Sequence, residues 1–391
     1  MPDQYSVISN LNLRESSRVT SQVSARPVET GLARLILQDR QFFVLGRYEQ
    51  RIVTAISAPS TGLVVSGDWA ADAKRTLLAA PLAQPVFTEP ASLHRYRATA
   101  KQPFYIPAET TPSFFPPTLE GLLDDQRAAR NAIAVTPTGQ IGVKDPRVLK
   151  AALAGANALE RDDVAFLVPI EAAFLSDEHS LRLLISVLNR SVHPVLLALV
   201  HDKNPLESPK RLKAYRRIFA ETTGMVIPYR ADATAFDARA HGAAGMAVGL
   251  IPSARRTNPV GSRGGPVADP TDMAPHVLIA DLLRFTRAKM MRREWFVDSE
   301  SPRCFCPGCR GAAIDRFYES TADRFQAHLH NAYELQRLHT SNLGFSTTER
   351  HDWWHAQAAG AADAYPKLAS HIGRAVPVPD DVSLWSKACR S

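Results

Sequence analysis

Residues 164–200 read VAFLVPIEAAFLSDEHSLRLLISVLNRSVHPVLLALV. Two apolar runs, VAFLVPIE (164–171) and PVLLALV (194–200), flank the helical stretch SLRLLISVLNR, and runs that short around a helix predict a parallel βαβ unit. The same rhythm extends in both directions, through GLVVSGD (62–68), PFYIPAE (103–109), MVIPYRAD (225–232), AGMAVGL (244–250) and HVLIAD (276–281). Helical stretches such as RVLKAALAGANALE and PKRLKAYRRIFAET lie between them. Seven or eight such units predict an α/β chain built as a (β/α)8 TIM-type barrel, with a doubly wound open sheet as the rival. No solenoid period, P-loop or dinucleotide-binding glycine fingerprint is present. The division expected is a β-rich N-terminal cap over 1–60, the barrel over 61–300, a cysteine-bearing subdomain over 301–345 and a C-terminal helical extension over 346–391.

The 391 residues are 45% hydrophobic and 22% charged, the balance of a soluble globular protein. The polar N-terminus has no apolar signal region, and no aliphatic run is long enough to span a bilayer. A cytoplasmic location without membrane association is the expectation. The net charge of +7 admits a polyanionic partner or a merely basic surface.

Three of only four cysteines fall within Arg303–Arg310, RCFCPGCR. A disulfide here would close a very small loop and strand a thiol. Cys-x-Cys-x-x-Cys can instead deliver Cys304, Cys306 and Cys309 to one tetrahedral ion, with Pro307-Gly308 supplying the turn. The following helix offers His328, His330 and His339 as the fourth ligand. Four protein ligands make a closed structural Zn2+ site, since a catalytic one keeps a position open.

In a barrel, catalytic groups sit at the C-terminal ends of strands, which makes Asp68, Glu109, Glu171, Asp232 and Asp281 candidates as a set. Two carboxylates facing one sugar suit glycosyl transfer, one attacking C1′ while the other moves a proton on or off the base. Singly, each is better read as a helix cap or ion-pair partner than as a catalyst.

These pieces together resemble the tRNA-guanine transglycosylases, zinc-bearing barrels that exchange guanine for a 7-deazaguanine. VDSESPRCFCPGC followed by HLHN resembles the family's zinc module and implies Cys304, Cys306, Cys309 and His330 as ligands, with His328 as the alternative. ADLLRFTR (280–287) resembles the family's Phe-Asp-Cys-Val-x-Pro-Thr-Arg segment, which implies Asp281 as nucleophile and Arg287 beside the substrate. FDARAHGAAGMAVGL (236–250) resembles the Gly-Gly-Leu-Ala-Val-Gly-Glu strand, which puts Gly245 and Met246 against the base edge. In the same register Glu171 falls near the base-recognising carboxylate. The family's Asp-Ser-Gly-Gly-Phe is replaced by PAETTPSFF, leaving Glu109 as the stand-in acid/base, and its Gln-Gly-Gly by VHDK, with His201 and Asp202. One family element is missing between Gly249 and Asp281, unless GMAVGL matches a later family strand.

The resemblance implies a nucleic-acid guanine transglycosylase acting through an aspartyl-glycosyl intermediate on DNA or tRNA, with guanine or a 7-deazaguanine as the exchanged base. The divergent base pocket tilts the comparison toward the family's DNA-modifying branch. A homodimer or a partner subunit is compatible with it. The alternatives are a non-catalytic, zinc-stabilised relative that binds nucleic acid or an active partner, and an aldolase-like barrel holding phosphate on Gly249, Ser253 and Arg255. The basic helix KRLKAYRRIF (210–219) and the segment AKMMRREWF (288–296) are candidate phosphate contacts, the first equally a solvated helix. RHDWWHAQ (350–357) reads as core tryptophans, and Cys389 as a lone thiol.

Overall fold

The computed structural model describes residues 31–46, 52, 56, 58–66, 84–107, 116–262 and 273–387. Asp68, Glu109 and Cys389 lie outside the described residues, as does most of the expected N-terminal cap.

Eight parallel strands carry the fold: β1 (Gln41–Leu45), β2 (Thr61–Val65), β3 (Val86–Thr88), β4 (Ala134–Val135), β5 (Val164–Glu171), β6 (Val195–Val200), β7 (Val226–Tyr229) and β8 (Met246–Gly249). They form two sheets, ordered β3-β2-β1-β8 and β4-β5-β6-β7, with every pairing parallel. Between the sheets, Ala231 bridges to Val248, and Ala231 N donates to Ala247 O at 3.1 Å. At the other junction Ala132 N donates to Val86 O at 2.7 Å, and Thr88 N to Asn131 Oδ1 at 3.1 Å.

The strands are apolar on both faces, as strands covered on both sides must be. One core cluster takes residues from all eight of them, among them Phe42, Val64, Phe87, Val135, Leu167, Leu196, Ile227 and Ala247. The alternate residues, such as Phe43, Leu63, Phe166, Leu197 and Val248, join the other core with the helices. That division is the period-2 alternation of pleated strands.

The helices begin where the local sequence caps them. Those named here are α1 (Leu32–Leu37), α2 (Leu119–Ala128), α3 (Pro146–Asn157), α4 (Glu178–Leu188), α5 (Pro209–Glu221), α6 (Thr234–Ala240), α7 (Thr321–Thr340), α8 (Thr347–Ile372) and α9 (Asp380–Ser386). Asp145 and Ser208 accept from the first free backbone amides of α3 and α5, and a proline follows each where a missing N–H costs nothing. Helix α4 turns Leu181, Leu184, Ile185 and Leu188 inward at helical spacing.

Buried polar links fasten these layers. Asp237 on α6 is held by Arg216 of α5 at 2.9 Å and by Trp354 Nε1 of α8 at 2.9 Å. Trp354 stacks on Phe236 and abuts Trp385 of α9, so the tryptophan-rich stretch serves the core as expected. Much of the KRLKAYRRIF charge is likewise spoken for, with Arg216 on Asp237 and Arg217 on Glu178 and Glu221.

Several expectations are corrected. Gln41–Leu45, expected in a separate cap, lies between β2 and β8 in the middle of a sheet, because its five residues are buried throughout. The expected strand at 103–109 has, over its described residues, a single bridge from Phe104 to Thr138. HVLIAD, expected among the parallel strands, is not one of them: β9 (His276–Ile279) turns back antiparallel on β10 (Arg284–Arg287), with Leu283 at φ 51° completing the reversal. The strand joined to β1 is therefore β8, drawn from GMAVGL. No helix among the described residues is long and apolar enough to cross a membrane.

Candidate functional site

The cysteine segment forms a small knuckle. Strands β11 (Arg303–Cys304) and β12 (Ala312–Ala313) pair antiparallel, and Cys309 N and Arg310 N both donate to Cys306 O. Arg310 and Gly311, at φ 51° and 86°, make the turn that lets Gly311 N reach Cys304 O at 2.8 Å. The result gathers Cys304, Cys306, Cys309 and His330 with their ligand atoms all within 4.8 Å of one another. The three sulfurs lie 3.4, 3.6 and 3.3 Å from His330 Nδ1. A tetrahedral ion with metal–sulfur bonds of about 2.3 Å and a metal–nitrogen bond of about 2.0 Å needs S···N edges of about 3.5 Å. The arrangement fits.

Its surroundings fit as well. His330 Nε2 lies 2.8 Å from Leu278 O, a contact that places its proton there and leaves the Nδ1 lone pair toward the sulfurs. Arg316 Nη2 donates to Cys309 Sγ at 3.1 Å. His328 is not in the cluster, and among the described residues no second group of this kind occurs at His351 and His355. Next to the centre, Arg292 of AKMMRREWF bonds Phe317 O and stacks over Tyr318, while Trp295 is buried, so this segment packs the knuckle.

The hairpin β9–β10 runs from this centre to the C-terminal ends of the parallel strands. Asn331, the neighbour of His330, donates to His276 O at 2.8 Å and accepts from Leu278 N at 2.7 Å. A cavity of about 1000 Å3 opens at the ends of β6, β7 and β8, with Arg284, Phe285, Thr286 and Arg287 of the hairpin as one wall. His201, Asp232 and Arg255 form others, and Asp381 and Trp385 of α9 reach it from the C-terminal extension. Arg230 enters the same rim at φ 56°, buried against Glu89 past the end of β3, with both carboxylate oxygens at 2.9 Å from Nη1. Arg255 lies 3.6 Å over the Phe285 ring, and burial pulls its pKa down to about 9 against the raising effect of Asp232.

The expected site residues divide between two places. His201 and Arg287 line the cavity at the strand ends. Asp281 does not: it is exposed in the turn between β9 and β10 and lines a second cavity of about 1020 Å3 beside Cys304 and His330. Its offset from Thr286 and Arg287 suggested a strand end, but a hairpin separates them. Gly245 and Met246 are corrected too. Gly245 precedes β8 and Met246 opens it, at the end opposite the cavity lined by His201, where a Cβ on Gly245 would sit 2.4 Å from Leu37 O of α1 and Met246 is fully buried. Glu171 is occupied by Arg97 and by Val143 N at 3.0 Å, and lines neither cavity.

Sequence reasoning named Asp232 only within a set, and missed Asp381, Arg230 and Glu89 altogether. Asp381 carries no local signal beyond an acidic helix start. No protein-family model matches the chain, and comparison with curated proteins returns no match.

Proposed function

We propose that this chain is a zinc-stabilised (β/α)8 barrel that exchanges guanine for a 7-deazaguanine base in nucleic acid, DNA in preference to tRNA. Closure of the barrel is supported by the β1–β8 pairing, by the backbone contacts at both sheet junctions, and by the interior cluster that all eight strands share. Zinc is the metal best suited to three thiolates and one imidazole in tetrahedral array. When bound it supplies a structural tie, since no ligand position is left for chemistry.

One observation carries the reading: the Cys3His centre grips the hairpin that forms a wall of the mouth, through His330 to Leu278 and Asn331 to His276. The resemblance implies a zinc that holds the subdomain positioning the polyanion, and a centre tied to that wall suits this part. Arg284, Arg287, Lys203 and Arg256 around the cavity suit phosphates, and the carboxylates inside suit a sugar and base. The target nucleotide would enter unstacked, because C1′ is obstructed in a duplex.

A second reading, a non-catalytic nucleic-acid-binding relative, is favoured by the place of Asp281 outside the mouth. The deciding experiment is exchange of labelled guanine into DNA and into tRNA by protein carrying one zinc per chain. Label entering DNA faster than tRNA supports the proposal; zinc-loaded protein that binds DNA without incorporating label supports the second reading.

A further inference from the structure

The mouth cavity holds more than the resemblance supplies. Its wall contains polar side chains that are almost fully buried and have no hydrogen-bond partner among the described residues: Thr257 Oγ1, Thr286 Oγ1 and Trp385 Nε1, in residues 1%, 2% and 3% exposed. Buried polar groups left unsatisfied are costly, and three in the wall of one cavity distinguish that wall from an ordinary packed core. Two carboxylates share that cavity. Asp232 follows β7, where its Oδ1 accepts from Thr234 N at 3.0 Å. Asp381 arrives from α9, its Oδ1 accepting from Val382 N at 2.9 Å, and Trp385 one turn later anchors the helix against Trp354.

We infer that Asp232 and Asp381 are the catalytic pair of this mouth, so that the C-terminal helix α9 completes the active site. The inference rests on the transglycosylase reading above. Asp232 attacks C1′ of the target nucleotide, and the C1′–N9 bond breaks with its electron pair passing to guanine. Asp381, as the neutral acid, gives its proton to N7 of the departing base, which leaves as neutral guanine. The incoming 7-deazaguanine then loses its N9 proton to the Asp381 carboxylate while N9 attacks C1′ and releases Asp232. One base leaves, one enters and the proton is returned. Burial, and then the charge of Asp232, raise the Asp381 pKa, consistent with the acid role. Arg255, held over the Phe285 ring in the cavity wall, supplies positive charge beside the departing base.

The test uses full-length, zinc-loaded protein and two oligonucleotides, one carrying guanine and one carrying 7-methylguanine, a cationic base that departs without an added proton. Asp381→Asn is expected to slow guanine exchange by about 10²–10⁴-fold, the usual worth of a general acid. It is expected to leave 7-methylguanine release within a few-fold of the wild type. Asp232→Asn is expected to abolish exchange and the covalent adduct with either base. Equal slowing of both bases in Asp381→Asn would reduce that residue to a structural part. An adduct that survives Asp232→Asn but disappears in Asp281→Asn would overturn the pair while leaving the transglycosylase reading intact. Wild-type protein that releases neither base would remove both.

Discussion

Replacing Glu89 by Gln tests the buried ion pair that joins the two sheets at the mouth. The side chains of Glu89 and Arg230 are 0% and 4% exposed, and His94 Nε2 lies 2.8 Å from the same carboxylate. Burial alone would raise the Glu89 pKa. The Arg230 and His94 charges overcome it and hold the carboxyl at about 2, against an ordinary value of 4.5. That depression corresponds to about 3 kcal/mol of differential stabilisation. It agrees with the roughly 3–5 kcal/mol lost when one partner of a buried pair is removed and the other stays charged. Because the folded value is the lower one, the contribution is complete above pH 4.5 and is lost as the pH falls from there toward about 2. Urea unfolding at pH 7 should therefore show Glu89→Gln less stable by about 3 kcal/mol, with the gap to wild type closing below pH 4.5. Adding Arg230→Met should recover part of the loss, since it removes the orphaned charge. A loss under about 1 kcal/mol, the value of an exposed pair, would refute the role assigned to this pair, as would a gap that ignores acid.

Three further outcomes are expected. Chelating the metal, or Cys306→Ser, should remove one zinc per chain by elemental analysis and accelerate hydrogen exchange in 276–287 and 303–313, since structural zinc contributes on the order of 10 kcal/mol. Unchanged exchange in the hairpin would separate the centre from the mouth. Trp354→Phe removes the indole bond to Asp237 and should lower unfolding stability by about 1–3 kcal/mol in a denaturant titration. Gly249→Ala would put a Cβ 2.3 Å from the Ala254 carbonyl carbon, so it should cost about 1–3 kcal/mol by thermal unfolding. It should also weaken DNA binding by shifting the turn that carries Arg255.

Much of the frame was legible in the chain. VAFLVPIE is β5 from Val164 to Glu171, and VLLALV is β6, because runs apolar on both faces have few alternatives once prolines and charges bound them. The Cys3His cluster was legible for a different reason: three thiols within six residues constrain their own geometry by covalent proximity, and the next helix offers histidines to complete the set. Val86–Thr88 and Ala134–Val135 were not legible, being too short to show a period. The reversal at Leu283 was hidden because nothing local distinguishes a half-buried strand in a hairpin from one in a parallel sheet. Asp381 was invisible for the plainest reason. Its role depends on α9 folding back over the ends of β6 to β8, a long-range contact with no local pattern.

The most direct measurement is peptide mapping by mass spectrometry of zinc-loaded protein trapped on guanine-containing DNA and, separately, on tRNA under denaturing conditions. The expected result is a nucleotide mass on the peptide containing Asp232, more abundant with DNA than with tRNA. No adduct with either nucleic acid would contradict a transglycosylase, and an adduct on the peptide containing Asp281 would move the chemistry out of the mouth.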